Sequence, residues 1–107
     1  MALTREFKDT VMKRAREDRT FREGLLTEAI EYLLEDDLDT GKLLLRDYVN
    51  ATIGFQTLSK LLNKKDTSLK RMLGPKGNPA AANLFAMTRA LQRHEGITLR
   101  VVSERRS

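Results

Sequence analysis

The chain has 107 residues with 33% charged and 40% hydrophobic side chains, no cysteine, and a formal net charge of +5. That length supports one hydrophobic core, and no apolar run approaches the ~18–20 residues of a membrane span. MALTREFKDT lacks the apolar stretch of a signal peptide, and without cysteine neither disulfides nor Cys-ligated metal can hold the fold, so a cytoplasmic protein is expected.

From Thr4 to about Asp18, Phe7, Val11 and Ala15 recur every four residues and predict a first helix. Thr20 and Glu23 have capping-box spacing, and Phe21, Leu25, Ala29, Ile30, Leu33 and Leu34 then trace one face of a second helix to about Glu35. The acidic run at Asp36, Asp37 and Asp39 breaks the pattern. Asp39 or Thr40 can cap a third helix, with Leu43, Leu44, Asp47, Tyr48 and Ala51 at helical spacing and Gly54 at its end.

Residues 56–63 predict a fourth helix burying Leu58, Leu61 and Leu62, closed by Asn63 in the left-handed conformation. Asp66 or Thr67 caps a fifth, whose Leu69, Met72 and Leu73 point inward, and Gly74-Pro75 stops it. Asn78 and Pro79 open a last helix to about His94, with Leu84, Phe85, Met87, Thr88 and Leu91 on its apolar side. After Gly96, ITLRVV (97–102) alternates like a strand. A lone strand has unsatisfied edges, so Ile97, Leu99 and Val101 are expected to pair with another chain, most simply a symmetry mate. The alternative is a tail that packs only Ile97 and Leu99.

Charge is distributed unevenly. Residues 1–40 hold 7 basic and 11 acidic side chains, whereas residues 56–79 hold six basic side chains against Asp66 alone. Residues 80–107 add five Arg against two Glu. Opposite fields in one small domain suit two partners, a polyanion for the basic half and a basic protein for the acidic half, unless the latter is simply a solvated helix face.

Catalysis is not expected. His94 is the only histidine and has no orienting partner in sequence, and Ser59, Ser68 and Ser103 lack a nucleophile-elbow setting. The Asp36–Asp39 cluster lacks the spacing of a calcium loop, and GPKG (74–77) lacks the Lys-Ser/Thr of a P-loop, so neither a metal nor a cofactor is expected.

The basic segment carries the chemistry. With Leu69, Met72 and Leu73 inward, Thr67, Lys70 and Arg71 share the opposite helix face. Lys70 and Arg71 can donate to guanine O6 and N7 in a major groove, while Thr67 and Ser68 can grip phosphate. Gln56, Thr57, Lys60, Lys64, Lys65, Lys76 and Asn78 flank that helix as further DNA contacts.

LSKLLNKKDTSLKRM (58–72) resembles the helix-turn-helix of λ-repressor-like (Xre/Cro) regulators. KGNP (76–79), the following helix with LFA (84–86), the terminal LRV (99–101) and the leading GKLLLRDYVN (41–50) resemble the HigA-like addiction-module antidotes. The sequence departs from that pattern at Asn63, Lys64, Ser59 and Gln56. The resemblance implies an all-α fold: a five- to six-helix λ-repressor-like helix-turn-helix domain with an N-terminal helical extension and a short C-terminal β-strand. Residues 1–40 form the N-terminal region and 41–107 the DNA-binding region of one compact domain. It also implies a type II antitoxin that neutralises a RelE/HigB-like mRNA endonuclease and represses its own operon as a homodimer on a palindromic double-stranded DNA operator. Glu28, Glu31, Glu35, Asp36 and Asp37 are the candidate toxin-binding acids. A stand-alone Xre-type regulator without a toxin, and an adaptor that joins proteins through its two charged faces, are the alternatives.

Overall fold

In the computed structural model, which describes residues 5–106, six helices follow one another: α1 Arg5–Glu17, α2 Arg19–Leu34, α3 Leu38–Ala51, α4 Phe55–Leu62, α5 Asp66–Met72 and α6 Ala81–Glu95. The expected start of α1 at Thr4 lies outside the described residues. Among those residues no strand forms, and no helix is long and apolar enough to cross a membrane.

Local chemistry sets the helix ends, in places two or three residues away from the expected ones. The Asp18 carboxylate accepts from the Phe21 amide at 3.1 Å and starts α2 directly after α1. Asp is among the strongest N-caps; Thr20 and Glu23 therefore lie inside the helix and their capping box does not form. Asp37 does the same for α3, accepting from the Thr40 amide at 3.1 Å, so neither Asp39 nor Thr40 is the cap. α3 stops at Ala51, and Gly54 instead opens α4 with φ +79, where a Cβ would be strained. α5 has no side-chain cap, since Lys65 precedes it and Asp66 is already helical. α6 starts only at Ala81, with Ala80 rather than Asn78 at the cap.

A single hydrophobic cluster draws on all six helices, from Ala15 through Leu26, Leu45, Phe55 and Leu69 to Met87 and Leu91. Each fully buried leucine contributes about 1.5–3 kcal/mol by leaving water. On α3, Tyr48 and Ala51 are buried as expected, joined by Leu45 and Val49, whereas the expected Leu43 and Leu44 are half-buried. Four residues expected inside face outward: Phe7, Leu34, Leu61 and Phe85 are 52%, 66%, 60% and 71% exposed.

One polar network crosses this core. Arg22 on α2 donates through Nε and Nη2 to the two carboxylate oxygens of Glu95 on α6, at 2.7 and 3.1 Å. The Tyr48 hydroxyl on α3 donates to Glu95 Oε1 at 3.1 Å. Three helices are thus tied through one carboxylate, and the fork-to-fork geometry is the strong form of such a pair. The Arg22 hydrogen bond holds the Glu95 carboxyl below its ordinary value of 4.5 against the opposing effect of burial, with Tyr48 adding in the same direction. Burial, then the Glu95 charge, raises the Tyr48 phenol above its ordinary value.

After the left-handed Gly96, the chain turns back and is pinned by Gln92. The Gln92 carbonyl accepts from the Ile97 amide at 3.0 Å, and its Oε1 accepts from the Leu99 amide at 2.8 Å. Ile97 and Leu99 rest against the core, but among the described residues no second segment pairs with them to form a ladder.

Because the folded Glu95 carboxyl is more acidic than in the unfolded chain, its contribution is complete above pH 4.5 and lost as pH falls through the lower folded value. Urea unfolding midpoints should therefore drop below about pH 4.5, and Glu95→Gln should flatten that acid dependence. Equal acid sensitivity in the two chains would show that the network has no such role.

Candidate nucleic-acid interface

Two short helices and the loops around them carry the basic segment. α4 and α5 are joined by three residues, Asn63, Lys64 and Lys65. Asn63 takes the left-handed conformation at φ 52, as expected, a shape that Asn tolerates better than most side chains. The Lys64 amide donates to the Ser59 carbonyl at 3.1 Å, and the Ser59 hydroxyl donates back to the Lys64 carbonyl. Ser59 thus ties the turn to the end of α4.

Leu58 on α4 and Leu69 and Leu73 on and after α5 are buried, fixing which faces turn outward. Gln56, Thr57 and Lys60 are exposed on α4, Lys64 and Lys65 in the turn, and Thr67, Lys70 and Arg71 on α5. Lys76 and Asn78 are exposed in the loop beyond, and Ser68 is half-buried. Lys70 faces the Asp66 carboxylate one turn earlier at 3.8 Å, whereas the Arg71 guanidinium makes no hydrogen bond or ion pair among the described residues. An exposed i, i+4 pair of this kind is worth about 0.3–0.5 kcal/mol, so Lys70 can exchange it for phosphate or a base edge at little cost.

The position of α5 is governed by a residue on another helix. Lys42 on α3 is only 2% exposed, and its ammonium donates to the carbonyls of Gly74 at 2.9 Å and Gly77 at 2.6 Å. Asp39 approaches the same nitrogen at 3.7 Å from its exposed position. A buried ammonium must find acceptors for its three protons, and here the loop after α5 supplies two of them. Gly77 in turn closes over the end of α5: a Cβ there would run into the carbonyls of Arg71 and Met72. The loop carrying Lys76 and Asn78 is therefore clasped between α3 and the last turn of α5.

Sequence reading missed Lys42, although a signal was present. Leu38, Lys42, Leu45 and Val49 recur at helical spacing, so a lysine stood on the apolar face of α3. Arg22 and Glu95 gave no such signal, being 73 residues apart in the chain.

The other predicted residues fall into two further places. Glu28 and Glu31 are exposed on α2, and Glu35 and Asp36 just beyond it, while the Asp37 carboxylate is engaged as the α3 cap. Of the expected strand, Ile97 and Leu99 are half-buried and Val101 is 79% exposed. No protein family, curated protein or solved structure matches this chain.

Lys42→Met should cost about 1–3 kcal/mol in denaturant unfolding, since it leaves the Gly77 carbonyl without its charged donor and the Gly74 carbonyl with the Gly77 amide alone. Amide exchange at Gly77, whose N–H donates to Gly74 within the loop, should accelerate more than in α2 or α3. Gly77→Ala should cost about 1–3 kcal/mol by overpacking the same loop. A loss under about 0.5 kcal/mol for both substitutions would contradict the clasp.

Proposed function

We propose that this chain is a dimeric DNA-binding antitoxin, in which α4, α5 and the loop after them form a helix-turn-helix that enters the major groove of a palindromic operator. The observation that carries the DNA reading is the uncompensated basic face of residues 56–78. Every lysine and arginine on it is exposed, and Asp66 is the only acid among them. Arg71 is the base-reading residue in this scheme, because its five donors are uncommitted and it shares a helix face with Thr67 and Lys70. Lys60, Lys64, Lys65 and Lys76 neutralise phosphate, helped by Gln56, Thr57, Ser68 and Asn78.

The antitoxin half of the proposal rests on the resemblance to addiction-module antidotes together with the acidic surface of α2. A RelE/HigB-like toxin that binds RNA is basic, and Glu28, Glu35 and Asp36 offer it exposed carboxylates that no ion pair occupies among the described residues. Deleting the first 38 residues is no test of that contact, because α2 supplies Leu25, Leu26 and Ala29 to the core. Charge reversal on the intact fold is the appropriate probe.

On the promoter of its own operon, Arg71→Ala should weaken binding by about 1–3 kcal/mol and relax selectivity at one base position. Lys76→Ala should weaken binding to all duplexes alike and reduce the salt slope by about one. Unchanged gel retardation for both would contradict this face as the DNA interface. Glu28→Lys with Glu35→Lys should weaken capture of the toxin encoded beside this gene at least about tenfold while leaving DNA binding intact. Undiminished capture would assign the toxin contact elsewhere.

A further inference from the structure

The C-terminal segment does not finish its packing. Beyond Leu99 it makes no hydrogen bond with the rest of the described chain, and Val101 and Val102 are each 79% exposed. Between this segment and α2 lies an open cleft of about 540 Å³. Its α2 wall is formed by Thr27, Ile30, Glu31 and Leu34, and its opposite wall by residues 98–102 with Glu104. One side is therefore an apolar strip with Leu34 66% exposed, and the other is a segment without regular secondary structure whose backbone makes no hydrogen bond past Leu99 among the described residues. Aqueous exposure of both together is unfavourable, and an added strand is the element that covers both at once.

We propose that this cleft receives residues 98–102 of a second copy of the chain, so that the two segments pair antiparallel about a two-fold axis and each covers the other copy's α2. The proposal deepens the dimeric reading above and rests on it. Charge chooses the occupant. The segment carries Arg100, Arg105 and Arg106 against Glu104, and the exposed face of α2 with its C-cap carries Glu28, Glu31 and Glu35. One chain therefore presents both members of a complementary pair, as an isologous contact requires. Within one chain Arg100 and Glu31 line the same cleft without forming an ion pair, which leaves each free for the partner copy. Glu31 then belongs to the dimer, and the remaining acids of α2 stay available to another protein.

Sedimentation equilibrium without DNA tests this. The native chain should be a dimer whose Kd rises at least about tenfold with Val101→Asp, with Glu31→Arg and with Arg100→Glu, each retaining native helicity. Mixing the Glu31→Arg and Arg100→Glu chains should restore the dimer, because both contacts of the mixed pair then join opposite charges across the axis. A monomeric native chain, a dimer indifferent to all three substitutions, or a mixture no tighter than its components would overturn the proposal. Loss of operator binding by Arg71→Ala is independent of these outcomes, so a dimer that fails to bind DNA counts against the DNA reading alone.

Discussion

A lysine ammonium inside a protein is tolerable only where acceptors surround it, and in this chain that requirement fixes the geometry of the basic face. Lys42 reaches from α3 to the carbonyls of Gly74 and Gly77. An ammonium at these distances makes two charge-assisted hydrogen bonds, each stronger than a neutral one. α5 has only seven residues and no side-chain cap, too little to hold itself as an isolated helix. Its orientation comes from Leu69 and Leu73 in the core at one side and from this clasp at its end. Gly77 completes the clasp by lying so close to the last carbonyls of α5 that no side chain fits.

The remainder of the fold distributes charge around that fixed element. The Arg22, Tyr48 and Glu95 network ties α2, α3 and α6 together and consumes two charges internally. The outer surfaces then carry the imbalance: acids on α2, cations from α4 to the loop after α5, and arginines on the C-terminal segment. The proposed polyanion binding and self-association would draw on different parts of this pattern. In the proposed reading a duplex would meet Lys60, Lys64, Lys65, Arg71 and Lys76, while Arg100 and Glu31 would serve a second copy. Two basic faces related by a two-fold axis are what a palindromic operator requires.

The helical elements were readable from residue periodicity because each buries one stripe, and Asn63 was readable because few residues accept its conformation. Helix starts were less legible. Asp18 and Asp37 compete with Thr20 and Asp39 for the same role, and sequence alone does not say which carboxylate reaches an amide first. Spacing alone places Phe85 and Leu61 inward, yet both stand outside, while Met87, Leu91 and Leu58 on the same helices fill the core. The basic face was legible almost entirely, since exposed cations need no tertiary partner to be recognised. Lys42 was not, for the opposite reason: its role depends on carbonyls 32 and 35 residues away. ITLRVV has the alternation of a strand, but a strand needs a partner, and none is formed within the chain's described residues.

The central claim is that the surface held in place by Lys42 is the one that meets DNA. Amide chemical-shift mapping of the labelled chain, titrated with the duplex of its own operon's promoter at moderate salt, addresses it residue by residue. Groove entry by α5 predicts the largest changes at Thr67, Lys70 and Arg71, smaller ones at Lys60, Lys64, Lys65 and Lys76, and none along the outer face of α2. Changes centred on the C-terminal arginines or on α2, with residues 56–78 unaffected, would contradict it.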